Sequence, residues 1–394
     1  MANTLLTPQD ITREALVVFH QKANFIGSVN TDYDDRFANE GAKIGDTLQI
    51  RLPNEYVIRR GRTLATQDTV EQKVDLVCQE QLGVDLNFTS RDLTLDLDDF
   101  SRRIIQPAVA VLVANVEADF YQYVYKRVPN FVDGGTMTFD VTQDARAKLA
   151  KQLVPADGQW YGTLDPDATT QFVKDTKGLF QSSSAIAEQY RTGLIGQTGS
   201  FTFQENTHFS SHTTGTSAEG DTTYNINGAS QVGGTLTIDT GTTTFLEGDL
   251  ITIDGVNRVH PETKADTGEL MQFVVRADSG TSATSLSIYP DIVTTGGRQN
   301  VTGSPADNAA INKLGAGASG LIGGSMFYHK DAFTFATADL VMPNGTDMAA
   351  REVLDGVSMR MVRDYDINDD QMPCRLDIIP AYAAQRPLAA VRAG

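Results

Sequence analysis

Near its start the chain carries two alternating stretches too polar to form a core of their own. Thr47 to Leu52 (TLQIRL) alternates as a strand, and a second alternating run extends from Val70 to Phe88. Between them lies a basic connection, Arg59, Arg60, Gly61 and Arg62. The pattern predicts an extended β-hairpin. An isolated two-stranded ribbon is marginal in water because it has no second layer to pack on. A ribbon this long is therefore expected to lie on another subunit.

The segment that follows, DLDDFSRRIIQPAVAVLVANVEADFYQYVYKR, reads as one long helix. Asp96, Asp98 and Asp99 open it and Lys126 and Arg127 close it, the charge order that complements a helix dipole. Ile105, Val109, Leu112, Val113, Val116 and Phe120 recur at three and four, a wide apolar face. Pro107 lacks a backbone donor and marks either a kink or a fresh helix start. Pro129 to Gly135 ends the helix. A further one is expected from Thr142 to Leu153, capped by Thr142 and followed by Pro155 and Gly158. Upstream, Ile11, Ala15, Leu16 and Phe19 predict a short helix over Thr7 to Val18, with Thr7 and Pro8 in cap and first-turn positions.

Around Gly215 the composition shifts. Between Glu219 and Asn300 short alternating runs (YNING, GTLTID, DLITIDGV, MQFVVRA, TSLSIYPDIV) are separated by Gly, Thr, Asp and Ser, which predicts a small antiparallel barrel or sandwich. Only Arg258, Lys264, Arg276 and Arg298 are basic there, so this block carries much of the negative charge. It reads as an inserted β domain. A Gly- and Ala-rich connector, Gly315 to Gly324, leads to strand-like FYHKDAFTFATADLVM and then to VSMRMVRDYD and CRLDIIPAY, two closing strands.

Charge narrows the function. With 32 Lys+Arg against 50 Asp+Glu the net charge is −18, which excludes a protein that coats nucleic acid through a general basic surface. At 40% hydrophobic and 21% charged the chain has the apolar content for more than one core. Met1 to Asp10 has neither a basic flank nor an apolar run, so no secretory signal is expected. The most apolar stretch, Ile104 to Val116, is shorter than the roughly 20 residues a bilayer requires, and no membrane span is expected. Cys78 and Cys374 lie far apart with no CxxC neighbourhood and read as buried or half-buried thiols.

Enzyme motifs fail on inspection. Gly315, Gly317 and Gly320 fit G-x-G-x-x-G by spacing, but no strand-like run precedes them, and Gly323 and Gly324 would break the helix that should follow. His208 and His212 have the spacing of a metal-binding helix without its Glu, and read as plain loop histidines. Asp364, Asp366, Asn368 and Asp370 resemble odd positions of a calcium loop that lacks its sixth-position Gly and closing Glu; they read as a solvated turn. No G-x-S-x-G elbow or P-loop occurs. No catalytic residue, cofactor or metal ligand is expected. The Arg59, Arg60 and Arg62 trio is the local exception to acidity; on a hairpin tip it could touch nucleic acid, and on so acidic a chain an acidic patch of a neighbouring copy is the favoured partner.

The order of elements resembles a known family. An N-terminal arm, a long hairpin, a helix introduced by Leu97-Asp98-Asp99-Phe100-Ser101 and then mixed α/β is similar to the HK97-type major capsid protein of tailed bacteriophages. Thr163 to Asp175 (TLDPDATTQFVKD), Phe327 to Leu340 (FYHKDAFTFATADL) and Met359 to Arg392, with Arg363-Asp364-Tyr365-Asp366 and Arg386-Pro387, resemble phrases common among such coat proteins. The β block resembles the insertion domain of one short-tailed branch. The fold class implied is α+β, an HK97-like capsid fold with an inserted antiparallel β-barrel domain. Its parts would be an N-terminal arm (1–50), an extended β-hairpin loop (51–88) and a peripheral domain with a spine helix (89–160). After these come an axial domain (161–218 and 304–357) split by the inserted barrel (219–303), and closing peripheral strands (358–394).

The resemblance implies a structural subunit that assembles as hexamers and pentamers into an icosahedral head around double-stranded DNA. Implied partners are other copies of the chain, a scaffolding protein, a portal protein at one vertex, packaged DNA without sequence-specific binding, and cement or decoration proteins. The implied location is the virion, assembled in a bacterial cytoplasm and involving no membrane. Some members cross-link through a Lys of the extended loop; here the tip holds arginines and Lys73 lies down the strand, so that chemistry is not carried over. The rival classes are a secreted or surface β-rich adhesin, and an enzyme with a β-barrel appendage.

Overall fold

The computed structural model describes residues 12–13, 15–19, 23–32, 47–64, 66–69, 71–89, 106–176, 196–208, 211–218, 224–354 and 357–394. The chain divides into two compact units. The first comprises Met1–Ile50, Lys73–Tyr121 and Phe333–Gln385; the second comprises Arg51–Gln72, Gln122–Ala332 and Arg386–Gly394.

The first unit is organised by the strand Gln371–Ala383. In its first half inward Cys374, Leu376 and Ile378 are buried, and from Pro380 onward both faces are covered. It pairs antiparallel with Leu82–Thr89, from Gln371 opposite Thr89 to Ile378 opposite Leu82. Val357–Arg363, Thr334–Ala338 and Gln72–Cys78 also pair with it. Thr47–Leu52 and Met348–Leu354 complete a seven-stranded sheet. The alternating run from Val70 to Phe88 is thus two strands. Gln79, Glu80 and Gln81 interrupt its periodicity, and the second half turns to the C-terminal strand. Gly83 permits that pairing: a Cβ there would lie 2.6 Å from Asp377 Oδ1 and 2.8 Å from the Leu376 carbonyl oxygen.

Helix α1 (Gln106–Tyr125) buries the expected stripe, Val109, Leu112, Val113, Val116 and Phe120. Asp96, Asp98, Asp99 and Ile105, and so the choice between kink and fresh start at Pro107, lie outside the described residues. The Phe120 ring stacks on Tyr382 with centroids 5.2 Å apart and meets Phe25 at 5.0 Å. Upstream, residues 12–13 and 15–19 are helical and Ala15, Leu16 and Phe19 are fully buried, while Thr7, Pro8 and Ile11 lie outside the described residues.

The second unit holds a six-stranded sheet in the order Phe131–Val132, Ala390–Ala393, Ser325–His329, Trp160–Leu164, Phe201–Glu205, Gln197–Thr198. Two helices belong to it, α2 (Phe139–Lys151) and α3 (Pro166–Thr176). The expected cap of α2 is displaced by one turn. Thr138, not Thr142, is in extended conformation and accepts the Val141 N–H, while Thr142 is fully buried within the helix. Lys148 and Lys151 fall in the last turn, where the helix dipole favours cations.

The β block is a five-stranded antiparallel sheet in the order Ile311–Leu314, Leu250–Val259, Asp266–Val275, Ser285–Ile292, Gly233–Thr237. Its open edges are bridged by the YNING segment: Asn225 pairs with Ala310 beside one edge and Ile226 with Ile238 beside the other. The curled sheet encloses its own core, with Tyr224, Ile226, Leu236, Ile253, Phe273 and Ile288 all nearly or fully buried. The Gly315 to Gly324 connector is more ordered than its composition suggested. Leu321–Gly323 pairs as a strand with Ser211–Thr213.

Candidate subunit-contact site

Pro53 ends the strand Thr47–Leu52, since it has no N–H for the ladder, and none of the described residues between 53 and 71 lies in a regular strand. The expected hairpin is present at its base, where Thr47–Leu52 lies beside Gln72–Cys78 in the sheet, but its far part is an irregular loop held by side chains. The Gln67 amide takes the place of a ladder rung: Val57 N–H donates to Gln67 Oε1 at 2.9 Å and Gln67 Nε2 donates to the Val57 carbonyl at 2.5 Å. Nearer the base, Arg51 and Glu71 form an exposed ion pair at 3.6 Å.

At the tip, Gly61 has φ +100°, a conformation that favours glycine. Arg59 Nη1 donates to the Gly61 carbonyl at 2.6 Å and to that of Thr63 at 2.7 Å, so this arginine builds the turn. Arg59, Arg60 and Arg62 are all exposed. Beside them, Tyr56 is 56% exposed, Ile58 77% and Leu64 80%. Apolar side chains grouped with arginines on a projecting loop are the composition of a protein–protein contact. Sequence reasoning passed over these three. The signal was present, as apolar residues in a segment already judged too far from any core.

The other singled-out residues have structural duties. His208 is exposed in a loop, as expected. His212 is not a loop histidine: it lies buried in the strand Ser211–Thr213 with Nε2 3.2 Å from Asp249 Oδ1. The fully buried Asp249 also accepts the N–H groups of Gly215 at 3.0 Å and Leu246 at 2.9 Å. Lys313 donates to the carbonyls of Gly215 at 3.0 Å, Ser217 at 2.6 Å and Gly317 at 3.3 Å, and burial lowers the pKa of its amine. Gly317 of the glycine-rich motif therefore wraps a buried amine of its own chain.

The Asp364 to Asp370 turn spends its carboxylates locally. Asp366 Oδ1 accepts the Asn368 N–H at 2.9 Å, Asp364 Oδ1 accepts that of Tyr365 at 2.9 Å, and the Tyr365 hydroxyl donates to Asp370 at 3.1 Å. No group of three or more His, Cys, Asp or Glu converges among the described residues. Lys73 reaches across the ladder to Gln49 Oε1 at 2.9 Å. Cys78 is half-buried and Cys374 buried, and burial pushes the Cys374 thiol up to about 11. Among the described residues no helix is long and apolar enough to cross a membrane.

Comparison with curated protein sequences returns no match. Among solved structures, the chain is similar to a Mycobacterium phage Che8 chain, with TM-score 0.48, 11% identity and coverage of 95% of this chain and 91% of that one. The capsid of Ralstonia phage GP4 aligns with TM-score 0.45 and 8% identity over 89% and 83% of the two chains. The CUS-3 coat protein I-domain aligns at 30% identity over 24% of this chain and 96% of its own, with TM-score 0.20. The sequence profile of one family, described as P22 coat protein, gene protein 5, matches residues 33–392. That match takes in the loop between Leu52 and Gln72, the β block and most of both units, and the chain belongs to the P22 coat protein family.

Proposed function

We propose that this coat protein is the major capsid subunit of a tailed phage, assembling as hexamers and pentamers into an icosahedral shell around double-stranded DNA. The observation that carries the reading is the loop between Leu52 and Gln72, which offers exposed Tyr56, Ile58 and Leu64 beside Arg59, Arg60 and Arg62. Such a surface suits a partner with acidic and apolar groups, and at net charge −18 another copy of the chain offers the acidic ones. Contacts of this kind are individually weak and add up when repeated in closed symmetry.

The domain assignments follow from the same reading. Of the stretch 51–88, residues 53–71 are the extended loop lying on a neighbour, because Gln72–Cys78 and Leu82–Thr89 are taken up in the chain's own sheet; 89–160 are the peripheral domain, and 219–303 an inserted β-barrel domain on the outer surface. The enclosed core of the β block supports its acting as a separate domain. A scaffolding protein during assembly, a portal at one vertex and cement proteins outside are the further partners, and assembly takes place in the host cytoplasm. The role is structural. An acidic inner surface would hold the genome without gripping it, because binding DNA through its backbone requires clustered cations. The family assignment lends no support to a surface adhesin or to an enzyme with a β-barrel appendage.

Charge reversal at the tip tests the contact. The triple variant R59E/R60E/R62E is expected to keep the circular dichroism spectrum and unfolding midpoint of the wild type, since exposed substitutions change stability little, and to lose shell assembly in sedimentation velocity. Unchanged assembly would remove the tip from the contact.

A further inference from the structure

Two neighbouring glycines in the β block serve different needs. Gly296 has φ +85° and nothing within 4 Å of where a Cβ would stand, so it is glycine for its own backbone. Gly297 is glycine because another strand of chain passes over it. A Cβ there would lie 2.3 Å from the carbonyl oxygen of Glu55, 2.8 Å from the carbonyl carbon and 3.2 Å from Cα of Tyr56. These are backbone atoms and cannot swing aside as a side chain would.

The next residue makes a second contact on the other leg of the same loop. With the Gln72 amide oriented so that its oxygen faces the guanidinium, Arg298 donates to it from Nη2 at 2.9 Å and from Nε as well. Residues Gly297 and Arg298 therefore hold both legs of the projecting loop, one at Glu55 and Tyr56 and the other at Gln72. Accordingly, Arg51–Gln72 groups with the unit that contains the β block.

The holding loop is itself braced. Asn300 Oδ1 accepts the Val293 N–H at 2.9 Å, the Asn300 N–H donates to the Val293 carbonyl at 3.1 Å, and Lys264 Nζ donates to the Gln299 carbonyl at 3.3 Å. A braced loop touching both legs fixes the direction of what lies beyond them, and what lies beyond is the Arg59 to Leu64 tip.

We propose that residues 293–299 of the β block form a cradle for the stem of the extended loop, so that the β block sets where the arginine tip meets a neighbouring copy. The inference rests on reading the chain as a shell subunit. It gives the block a part in assembly through a contact inside its own chain.

The test uses the full chain. Hydrogen exchange read by mass spectrometry follows the Val57 amide, which is bonded to Gln67 across the two legs, and compares wild type with Gly297→Ala, Arg298→Ala and the control Gly296→Asn. Gly297→Ala is expected to speed exchange around Val57 about tenfold, the factor that corresponds to about 1.4 kcal/mol of lost contact. The amides of Leu250–Val259 should stay protected, showing that the block is folded. Gly296→Asn should leave Val57 as in wild type, since Asn tolerates the left-handed region. Shells from Gly297→Ala are expected to be reduced in yield or altered in diameter under the microscope. Unchanged exchange at Val57 in Gly297→Ala, with the block folded, overturns the cradle. Faster exchange with shells of wild-type yield and diameter overturns its role in aiming the tip. Failure of the wild type to form shells would instead count against the shell reading, and the exchange comparison would still decide the cradle.

Discussion

The Glu117 carboxylate, buried on α1, accepts the backbone N–H of Ile26 at 3.2 Å and that of Phe25 as well. The short 3-10 helix Ile26–Ser28 has no side-chain cap of its own. Its first donors are satisfied by a residue on a distant helix, and this bond fixes the segment Phe25–Ser28 to α1 where the Phe25 ring meets Tyr121 at 4.8 Å. A polar group in so apolar a setting costs more to orphan than to keep.

Glu117→Ala should therefore leave two buried N–H groups unpaired and lower the stability of the subunit by about 2–4 kcal/mol. Glu117→Gln, which keeps one acceptor, should cost about half as much. Urea unfolding of the subunit followed by tryptophan fluorescence measures both. An alanine variant within about 0.5 kcal/mol of wild type would deny the carboxylate this role.

Lys313 carries the second prediction. Its amine is the donor for three carbonyls, those of Gly215, Ser217 and Gly317. Lys313→Met fills the same volume and removes every donor, and the expected loss is about 2–4 kcal/mol with Gly215 to Ser217 first to gain exchange. A variant as stable as wild type, with those amides still protected, would show that the carbonyls find other donors.

Titration gives the third. Burial lowers Lys148 to about 8, below the ordinary lysine value, with Glu269 raising it and Lys151 and Arg258 lowering it further. The folded state then binds fewer protons than the unfolded state above about pH 8, so stability from this residue rises with pH from there toward the ordinary lysine value. The Cys374 thiol at about 11, and the Tyr125 and Tyr289 hydroxyls at about 12, act in the opposite sense. Their folded states hold protons longer, and their contribution is lost as pH climbs above the unfolded values near 9 and 10. Between pH 8 and 9 the unfolding midpoint should be less steeply dependent on pH, or fall, in Lys148→Met relative to wild type. Parallel curves for the two proteins would contradict the assignment.

Thiol labelling is the fourth. In native protein at pH 8 the buried Cys374 should stay unmodified by iodoacetamide while half-buried Cys78 reacts slowly, and both should react fully in urea. Equal labelling of the two in native protein would mean that the sheet around Cys374 opens readily.

Much of the fold was legible because it is written in periodicity. The α1 stripe and the two closing strands are buried along the residues whose spacing announced them, and the runs of the β block each became a strand or, for YNING, a pair of bridges. What was not legible depends on partners distant in sequence. Nothing near Leu82 says that its strand will pair with Gln371–Ile378 instead of folding back, and the interruption at Gln79 to Gln81 was the one local hint. His212 sits in a stretch of Ser and Thr and looked solvent-facing until Asp249 supplied its partner. The cap of α2 went to Thr138, one turn before the threonine whose neighbours looked more helical. At the tip, three arginines were visible as charge, but that Arg59 closes its own turn, and that Tyr56, Ile58 and Leu64 stand exposed beside it, follows only from how the legs are tied.

The shell reading is tested most directly by negative-stain microscopy of the purified chain, alone and co-expressed with its scaffold. Closed icosahedral particles of uniform diameter, absent in the R59E/R60E/R62E variant, are the predicted result. Monomers or small oligomers under every assembly condition, with the scaffold present, would contradict it.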